Sequence, residues 1–414
     1  MIKRLLIILT IAWCCAPAWA QRQVVFSNDI GSLQVVAGKK WQEMPVINLN
    51  SGEHITISFD EMSHEYHRYT YDVVHLEKDW TESTGLLTAD YIAGFQNGIA
   101  IEDYEESINT TQNYTHYSLQ IPNRECQLKM SGNYRVDIID DESQEKVISA
   151  FFLVNEDLIN VGLSASGDTD IDTRRSHQQV NVKIDYAPLR TIYPREQITG
   201  YVLQNYRWDN MVALPASTGI NQQYMEWTHC RDLIFDGGNE YHKFEILDVH
   251  RNSFNVEDNV WDRENNVWHT YLWPDYKRPS YVYDETPKGA FYIRNSDNRE
   301  SDITSEYVRV HFILQSQEPF PYPVYVNGMW TNEYNDDRYE MKYDNGSKTY
   351  TVEVPLKYGY YSYQYLMSGP DGKTMIPPTE GSYYETRNVY TALFYYRSNI
   401  DRADRLVGIG KLKL

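Results

Sequence analysis

The stretch Gly132-Asn133-Tyr134-Arg135-Val136-Asp137-Ile138 alternates apolar and polar side chains. Successive side chains of a β-strand point to opposite faces, so Tyr134, Val136 and Ile138 are expected to line one buried face of a sheet. The same period of two recurs at residues 55–59, 180–184 and 350–356, and further strands are expected at 150–154, 198–206 and 307–314. Helical periodicity is scarce, and the sequence therefore predicts an all-β fold.

Turn signals between these strands divide the chain into three consecutive β-sandwich domains. The predicted bounds are 21–157, 158–317 and 318–414. The stretch Pro319-Phe320-Pro321-Tyr322-Pro323 marks the second boundary, because closely spaced prolines favour a short, stiff linker. Three domains also suit a chain of 414 residues.

The middle domain contains a long segment, 261–283, that is rich in aromatic residues, charges and proline. A loop of this length is unusual unless it carries function or contacts another domain. Tryptophan, tyrosine and arginine concentrate binding energy at interfaces, so the segment is a candidate partner surface. Its candidate contact residues are Trp261, Trp268, Trp273, Tyr276 and Arg278. Packing of these rings against a neighbouring domain is the alternative, and the sequence leaves both open.

The N-terminus has the pattern of a secretory signal peptide, residues 1–20. Lys3 and Arg4 precede an apolar stretch from Leu5 to Ile11, and Ala18-Trp19-Ala20 offers small residues to a signal peptidase. We therefore expect export, with cleavage before Gln21. No other segment approaches the ~20 apolar residues that a spanning helix needs, so no direct membrane insertion is expected.

The chain is acidic, with 58 acidic against 38 basic residues and a net charge of −20. The resulting negative electrostatic potential repels phosphate backbones, so nucleic acid is not expected as a partner. Beyond the predicted signal peptide only Cys126 and Cys230 remain. An exported protein could join them in a disulfide, but two isolated cysteines are a poor disulfide framework, so buried thiols are expected.

No motif for catalysis, a cofactor or a metal stands out. Nucleophilic-serine and phosphate-binding glycine signatures are missing, and no enzyme is predicted. Asp168, Asp170 and Asp172 have the spacing of a calcium loop, but Thr173 and Gln179 stand where glycine and glutamate are needed. A solvated acidic turn is expected there. The spacing of His64 and His67 likewise gives no zinc motif.

Several ordered phrases resemble the plug protein family of the type IX secretion system. They span the chain and include Tyr69-Thr70-Tyr71-Asp72-Val73-Val74-His75-Leu76-Glu77-Lys78-Asp79-Trp80, Gly94-Phe95-Gln96-Asn97, Ser131-Gly132-Asn133-Tyr134-Arg135 and Asp404-Arg405-Leu406-Val407-Gly408. The resemblance implies a periplasmic Bacteroidetes protein with no catalytic residues or cofactors. It also implies association with the outer-membrane translocon barrel, whose periplasmic mouth the protein closes when no cargo is passing. Outside that complex we expect a monomer.

A second likeness supplies a rival function. The first domain is similar to immunoglobulin-like domains. The third, through Val324-Tyr325-Val326-Asn327-Gly328-Met329-Trp330 and the tyrosine-rich run 356–363, is similar to early-set glycogen-binding modules. In such modules exposed aromatic rings stack on sugars, which makes an exported carbohydrate-binding protein the alternative. Packing of Trp330 and the tyrosines inside a small sandwich is the competing interpretation.

Overall fold

The computed structural model describes residues 23–64, 66–332, 336–370 and 372–414. Strands make up 47% of the chain and helices 5%, which confirms the all-β fold class. The α-helices of the described ranges are single turns: α1 (Thr88–Tyr91), α2 (Pro194–Gln197) and α3 (Ser301–Thr304). None of these helices could span a membrane. The predicted signal peptide, 1–20, lies outside the described residues.

The first sandwich encloses a core drawn from residues between Val25 and Val154. One of its sheets has the order β1-β12-β11-β5-β7 with β3 beside β12, the other has the order β2-β4-β9-β8, and β6 pairs with β10. Ile55, Ile57 and Phe59 are fully buried, as their alternation predicted. The strands are β1 (Val24–Val25), β2 (Ile30–Ala37), β3 (Val46–Asn48), β4 (Ile55–Glu61), β5 (Tyr69–Leu76), β6 (Ile92–Gly94), β7 (Ile99–Ala100), β8 (Asp103–Glu106), β9 (Thr115–Ile121), β10 (Cys126–Leu128), β11 (Gly132–Asp140) and β12 (Lys146–Asn155).

The second sandwich is discontinuous in sequence, because its last two strands come from the C-terminus. One sheet has the order β13-β14-β18-β17 with β19 beside β14, and the other has the order β16-β15-β30-β31. Val182 and Ile184 share one core with Tyr390 and Phe394. The strands are β13 (Asn160–Ser166), β14 (His177–Asp185), β15 (Ile198–Gln204), β16 (Val212–Ala213), β17 (Gly219–Ile220), β18 (Tyr224–Trp227), β19 (Ile234–Asp236), β30 (Val389–Tyr396) and β31 (Arg405–Lys413).

The third unit is inserted between β19 and β30 and consists of a single ten-stranded sheet. Its order is β20-β28-β25-β26-β27-β24-β22-β21, with β23 and β29 also on β28. Strands from both ends of this order contribute to one core, so the sheet curls around it. The strands are β20 (His242–Ile246), β21 (Val256–Asp262), β22 (Val267–Leu272), β23 (Phe291–Ile293), β24 (Tyr307–Gln315), β25 (Val324–Asn327), β26 (Glu340–Asp344), β27 (Thr349–Lys357), β28 (Gly359–Ser368) and β29 (Thr374–Met375).

The predicted boundaries 158–317 and 318–414 therefore do not describe how the cores are distributed. Strand β15 pairs with β30 from Ile198 opposite Tyr396 to Gln204 opposite Tyr390, so 389–414 completes the second sandwich. The proline stretch is no linker between domains. Phe320 in it stacks on Tyr350, at 5.2 Å between ring centroids, within the third unit.

Buried polar contacts join the three units. Between the first and third, Lys357 donates to Asp60 at 2.7 Å. Between the first and second, the Tyr395 hydroxyl donates to Asn133 at 2.7 Å. Between the second and third, the Arg207 guanidinium, just after β15, donates to the hydroxyl of Thr374 in β29 at 2.9 Å. Each unit is thus fastened to the other two, and the described chain forms one packed body.

Candidate partner-binding surface

The predicted partner segment is partly strand and partly an extended strap. Trp261 lies in β21 and Trp268 in β22, directly opposite each other. Their ring centroids are 5.2 Å apart, and Trp268 also packs against the core of the third unit. The prediction of one long loop over 261–283 is therefore wrong in its first half. Only residues 273–283, which we call the strap, cross the surface without regular pairing.

Asp275 fixes the first half of the strap from beneath. Its backbone amide donates to the carbonyl of Ile313 at 2.8 Å. Its carboxylate, only 14% exposed, lies 2.9 Å from His242 Nδ1 and accepts the hydroxyls of Tyr363 and Tyr365 at 2.7 and 2.6 Å. Burial alone would raise the pKa of Asp275, but the charge and hydrogen bond of His242, with the two tyrosine hydrogen bonds, hold that pKa below its usual range. The carboxylate is therefore a charged anchor.

Arg278 fixes the second half of the strap and points inward. Its guanidinium pairs with Glu380 and donates to the backbone carbonyl of Glu240 at 2.6 Å. Its backbone amide donates to the carbonyl of Thr379 at 2.8 Å. Burial lowers the pKa of Arg278 from its usual value, against the attraction of Asp275. The predicted role of Arg278 as a partner contact is accordingly corrected, since this side chain holds the strap in place.

The outward side of the strap is aromatic and exposed. Trp273 and Tyr276 are 54% and 59% exposed, and Val282 and Tyr283 are exposed as well. Of the five predicted contact residues, the structure thus leaves Trp273 and Tyr276 free to meet a partner. A surface already held rigid loses little conformational entropy on binding, and buried aromatic anchors dominate interface energies.

A second exposed apolar surface, which we call the loop end, went unnoticed in the sequence. An ion pair of 2.8 Å between Arg402 and Asp90 joins α1 to the hairpin between β30 and β31. A hydrogen bond of 3.3 Å from Gln197 to Asn399 joins that hairpin to the turn before β15. Single apolar residues in loops give no periodic signal, so only the fold brings them together. Its members, each more than half exposed, are Leu87, Ile192, Tyr193 and Ile400.

The aromatic residues proposed for sugar stacking are internal. Trp330 is 5% exposed, stacks on Phe312 with centroids 5.8 Å apart, and donates from Nε1 to the carbonyl of Ser362 at 3.0 Å. Tyr361 and Tyr363 are also buried in the same core. The interpretation of Trp330 as an exposed sugar platform is therefore wrong, and the packing alternative describes this residue.

The remaining sequence features have ordinary structural roles. Cys126 and Cys230 are both free and buried, as expected, and burial raises the pKa of the Cys126 thiol to about 12. The three carboxylates of the acidic turn face protein donors. The contacts are Arg174 to Asp168 at 3.3 Å, Gln179 to Asp170 at 3.0 Å and His177 to Asp172 at 2.7 Å.

Fold and surface together define an all-β protein of three interlocked units that displays a rigid aromatic strap. Residues 30–156 match the family model of the type 9 secretion system plug protein 1st domain, so the chain contains a domain of that family. That family is not known as enzymatic.

Solved structures show how far the architecture is shared. The crystal structure of a hypothetical protein from Parabacteroides merdae is 37% identical, with a TM-score of 0.91 over 95% of this chain and 99% of that chain. The similarity therefore includes the inserted third unit. The C-terminal domain of the Streptococcus pyogenes antigen I/II-family protein AspA, 7% identical over 94% of this chain and 100% of its own, has a TM-score of 0.18, which supports no argument. No curated protein matches the chain.

Proposed function

We propose that this protein closes the periplasmic mouth of the outer-membrane type IX secretion barrel when no cargo is passing. The observation that carries the proposal is the plug domain at 30–156. The protein works in the periplasm, reaches the outer membrane through the barrel, and is a monomer when released. It acts as a stopper and catalyses no reaction.

The interlocked units support this role, because a stopper must keep its shape across an opening. The first sandwich is held to the third by the buried Asp60–Lys357 pair and to the second by an apolar cluster. That cluster includes Leu153 from the first sandwich and Leu393 from the second. Relative motion of the units would break buried contacts, so the plug domain carries the other two units with it.

The strap supplies the contact with the barrel. A plug must also leave, which favours a modest aromatic patch within a polar surface over a large obligate interface. Trp273 and Tyr276 form such a patch, on a protein whose net charge is −20. The acidic surroundings keep the released protein in solution.

Affinity purification and a permeability assay test the proposal together. Tagged protein recovered from native membranes should bring the barrel with it, and cells lacking the protein should admit a large antibiotic that the outer membrane normally excludes. Protein carrying Trp273→Ser and Tyr276→Ser should recover far less barrel and leave such cells permeable. Ile171→Ser, which changes a 55% exposed apolar residue of the second sandwich, is the matched control and should behave as the wild type.

Two outcomes would contradict different parts of the proposal. Cells that stay impermeable without the protein would exclude the plug function itself. Loss of the barrel with Ile400→Ser, but not with the strap variant, would move the contact to the loop end.

A further inference from the structure

Two histidines and a glutamate meet on the outer face of the third unit. His269 lies on β22, His311 on the adjacent parallel strand β24, and Glu353 directly opposite His311 on β27. Alternate residues of these strands, such as Val310 and Val354, point into the core, so the three side chains share the opposite face. His311 lies 42 positions after His269, and Glu353 lies 42 positions after His311. This spacing matches no short metal-binding motif, and only the strand pairing brings the three residues together.

The spacing of the three ligand atoms fits one metal ion. His269 Nδ1 is 2.7 Å from His311 Nε2, and Glu353 Oε2 is 3.7 and 3.5 Å from these two nitrogens. A circle through the three atoms has a radius of about 2.0 Å, which is the length of a zinc bond to imidazole nitrogen or carboxylate oxygen. An ion near the centre would therefore reach all three without a change of backbone.

Neighbouring side chains hold each ligand in a suitable orientation. Asp262 Oδ2 lies 3.7 Å from His269 Nε2, the ring nitrogen that faces away from the centre, which is the usual place for a carboxylate behind a metal-bound histidine. Tyr271 stacks on His311, with ring centroids 4.3 Å apart and planes 9° apart. Arg309 donates a hydrogen bond of 2.9 Å to Glu353 Oε1, so Oε2 is the carboxylate oxygen left to bind a metal.

We propose that His269, His311 and Glu353 bind a divalent transition-metal ion such as Zn²⁺. Two imidazoles and one carboxylate are a common zinc ligand set, and they leave a fourth position for water or another ligand. The ion cross-links β22, β24 and β27 and stabilises the curled sheet of the third unit. This inference is independent of the plug function and departs from the sequence-based prediction of no metal site.

Titration calorimetry on metal-free, tag-free full-length protein tests the site. Zn²⁺ should bind with one equivalent and raise the melting temperature, and Co²⁺ should give the visible bands of a tetrahedral complex. His269→Ala and His311→Ala should each weaken zinc binding by at least about 100-fold. Loss of a residue that only hydrogen-bonds to a metal ligand already lowers metal affinity by about 10- to 100-fold, and loss of the ligand itself should cost more. Asp262→Asn should weaken it about tenfold for that reason.

His54→Ala removes an exposed histidine of the first sandwich and should leave binding unchanged. A melting curve of each metal-free variant checks that the variant folds. The rise in wild-type melting temperature with Zn²⁺ tests the site even if a variant does not fold. The proposal is overturned if wild-type protein takes up no equivalent of zinc. It is equally overturned if the His269 and His311 variants bind as tightly as the wild type, in which case the cluster is only a hydrogen-bonded histidine pair.

Discussion

The pair formed by Asp60 and Lys357 crosses the boundary between the first sandwich and the third unit. Their side chains are 0% and 1% exposed. His116 Nδ1 approaches the other carboxylate oxygen of Asp60 at 2.6 Å, and the Tyr307 hydroxyl donates to Asp60 at 2.6 Å. Burial alone would raise the pKa of Asp60, but the charge of Lys357 and the hydrogen bond from His116 hold that pKa below its usual range. The group is therefore ionised and fully partnered.

Replacing Asp60 with asparagine should be strongly destabilising. Lys357 would then keep a buried ammonium without its counter-charge, and breaking a buried pair on one side typically costs about 3–5 kcal/mol. Urea unfolding followed by tryptophan fluorescence measures the change. The control is Glu340→Gln, which breaks the 2.6 Å pair with Lys342, whose side chain is 74% exposed. That loss should stay below about 1 kcal/mol, and similar losses for both variants would contradict the argument.

Asp275 should make stability depend on acid pH. Because its pKa is lower in the folded than in the unfolded protein, the stabilisation is complete above the ordinary carboxyl pKa of about 4 and is lost as pH falls through the folded value. His242, Tyr363 and Tyr365 face this carboxylate and lower its pKa against the opposing effect of burial. Urea midpoints between pH 6 and pH 3 should fall less steeply for Asp275→Asn than for the wild type. Parallel curves would show that the anchor has no such linkage.

At the scale of elements, the second sandwich depends on strands supplied from the C-terminus. A chain that ends at residue 317, the boundary predicted from sequence, should therefore fail to fold its second sandwich. Val182 and Ile184 would lose Tyr390 and Phe394 from their shared core. Hydrogen exchange should show rapid exchange in β15, whose partner β30 is missing, while β11 and β12 remain protected. Protection of β15 in the shortened chain would contradict this assignment.

The same strands show what the sequence could and could not predict. Alternation identified β4, β11 and β14, because burial of one face is a local property of a strand. Pairing is not local: β15 finds its partner nearly 200 residues later, after a complete inserted unit. Trp330 was ambiguous because its aromatic surroundings suit either a core or a sugar platform, and burial alone separates the two. The histidine cluster was invisible because its members lie on three separate strands.

At the scale of the molecule, apolar and charged contacts cross the boundaries between units. Leu153 of the first sandwich and Leu203, Leu393 and Leu406 of the second form a buried apolar cluster between these two units. Arg405 pairs with Glu156 across the same boundary, and Lys78 pairs with Asp404 at 3.2 Å. Such contacts couple the unfolding of one unit to that of its neighbour.

Calorimetry should therefore show one main unfolding transition for the whole chain. Leu153→Ala together with Leu406→Ala would leave cavities at the boundary, each costing about 2–5 kcal/mol, and should separate the melting of the first sandwich from the rest. Ile171→Ala, at a 55% exposed site, is the control and should leave the profile unchanged. If the wild type already melts in three resolved steps, the units are independent. Each unit of such a stopper could then unfold separately, and the protein would lack the rigidity on which the plug proposal relies.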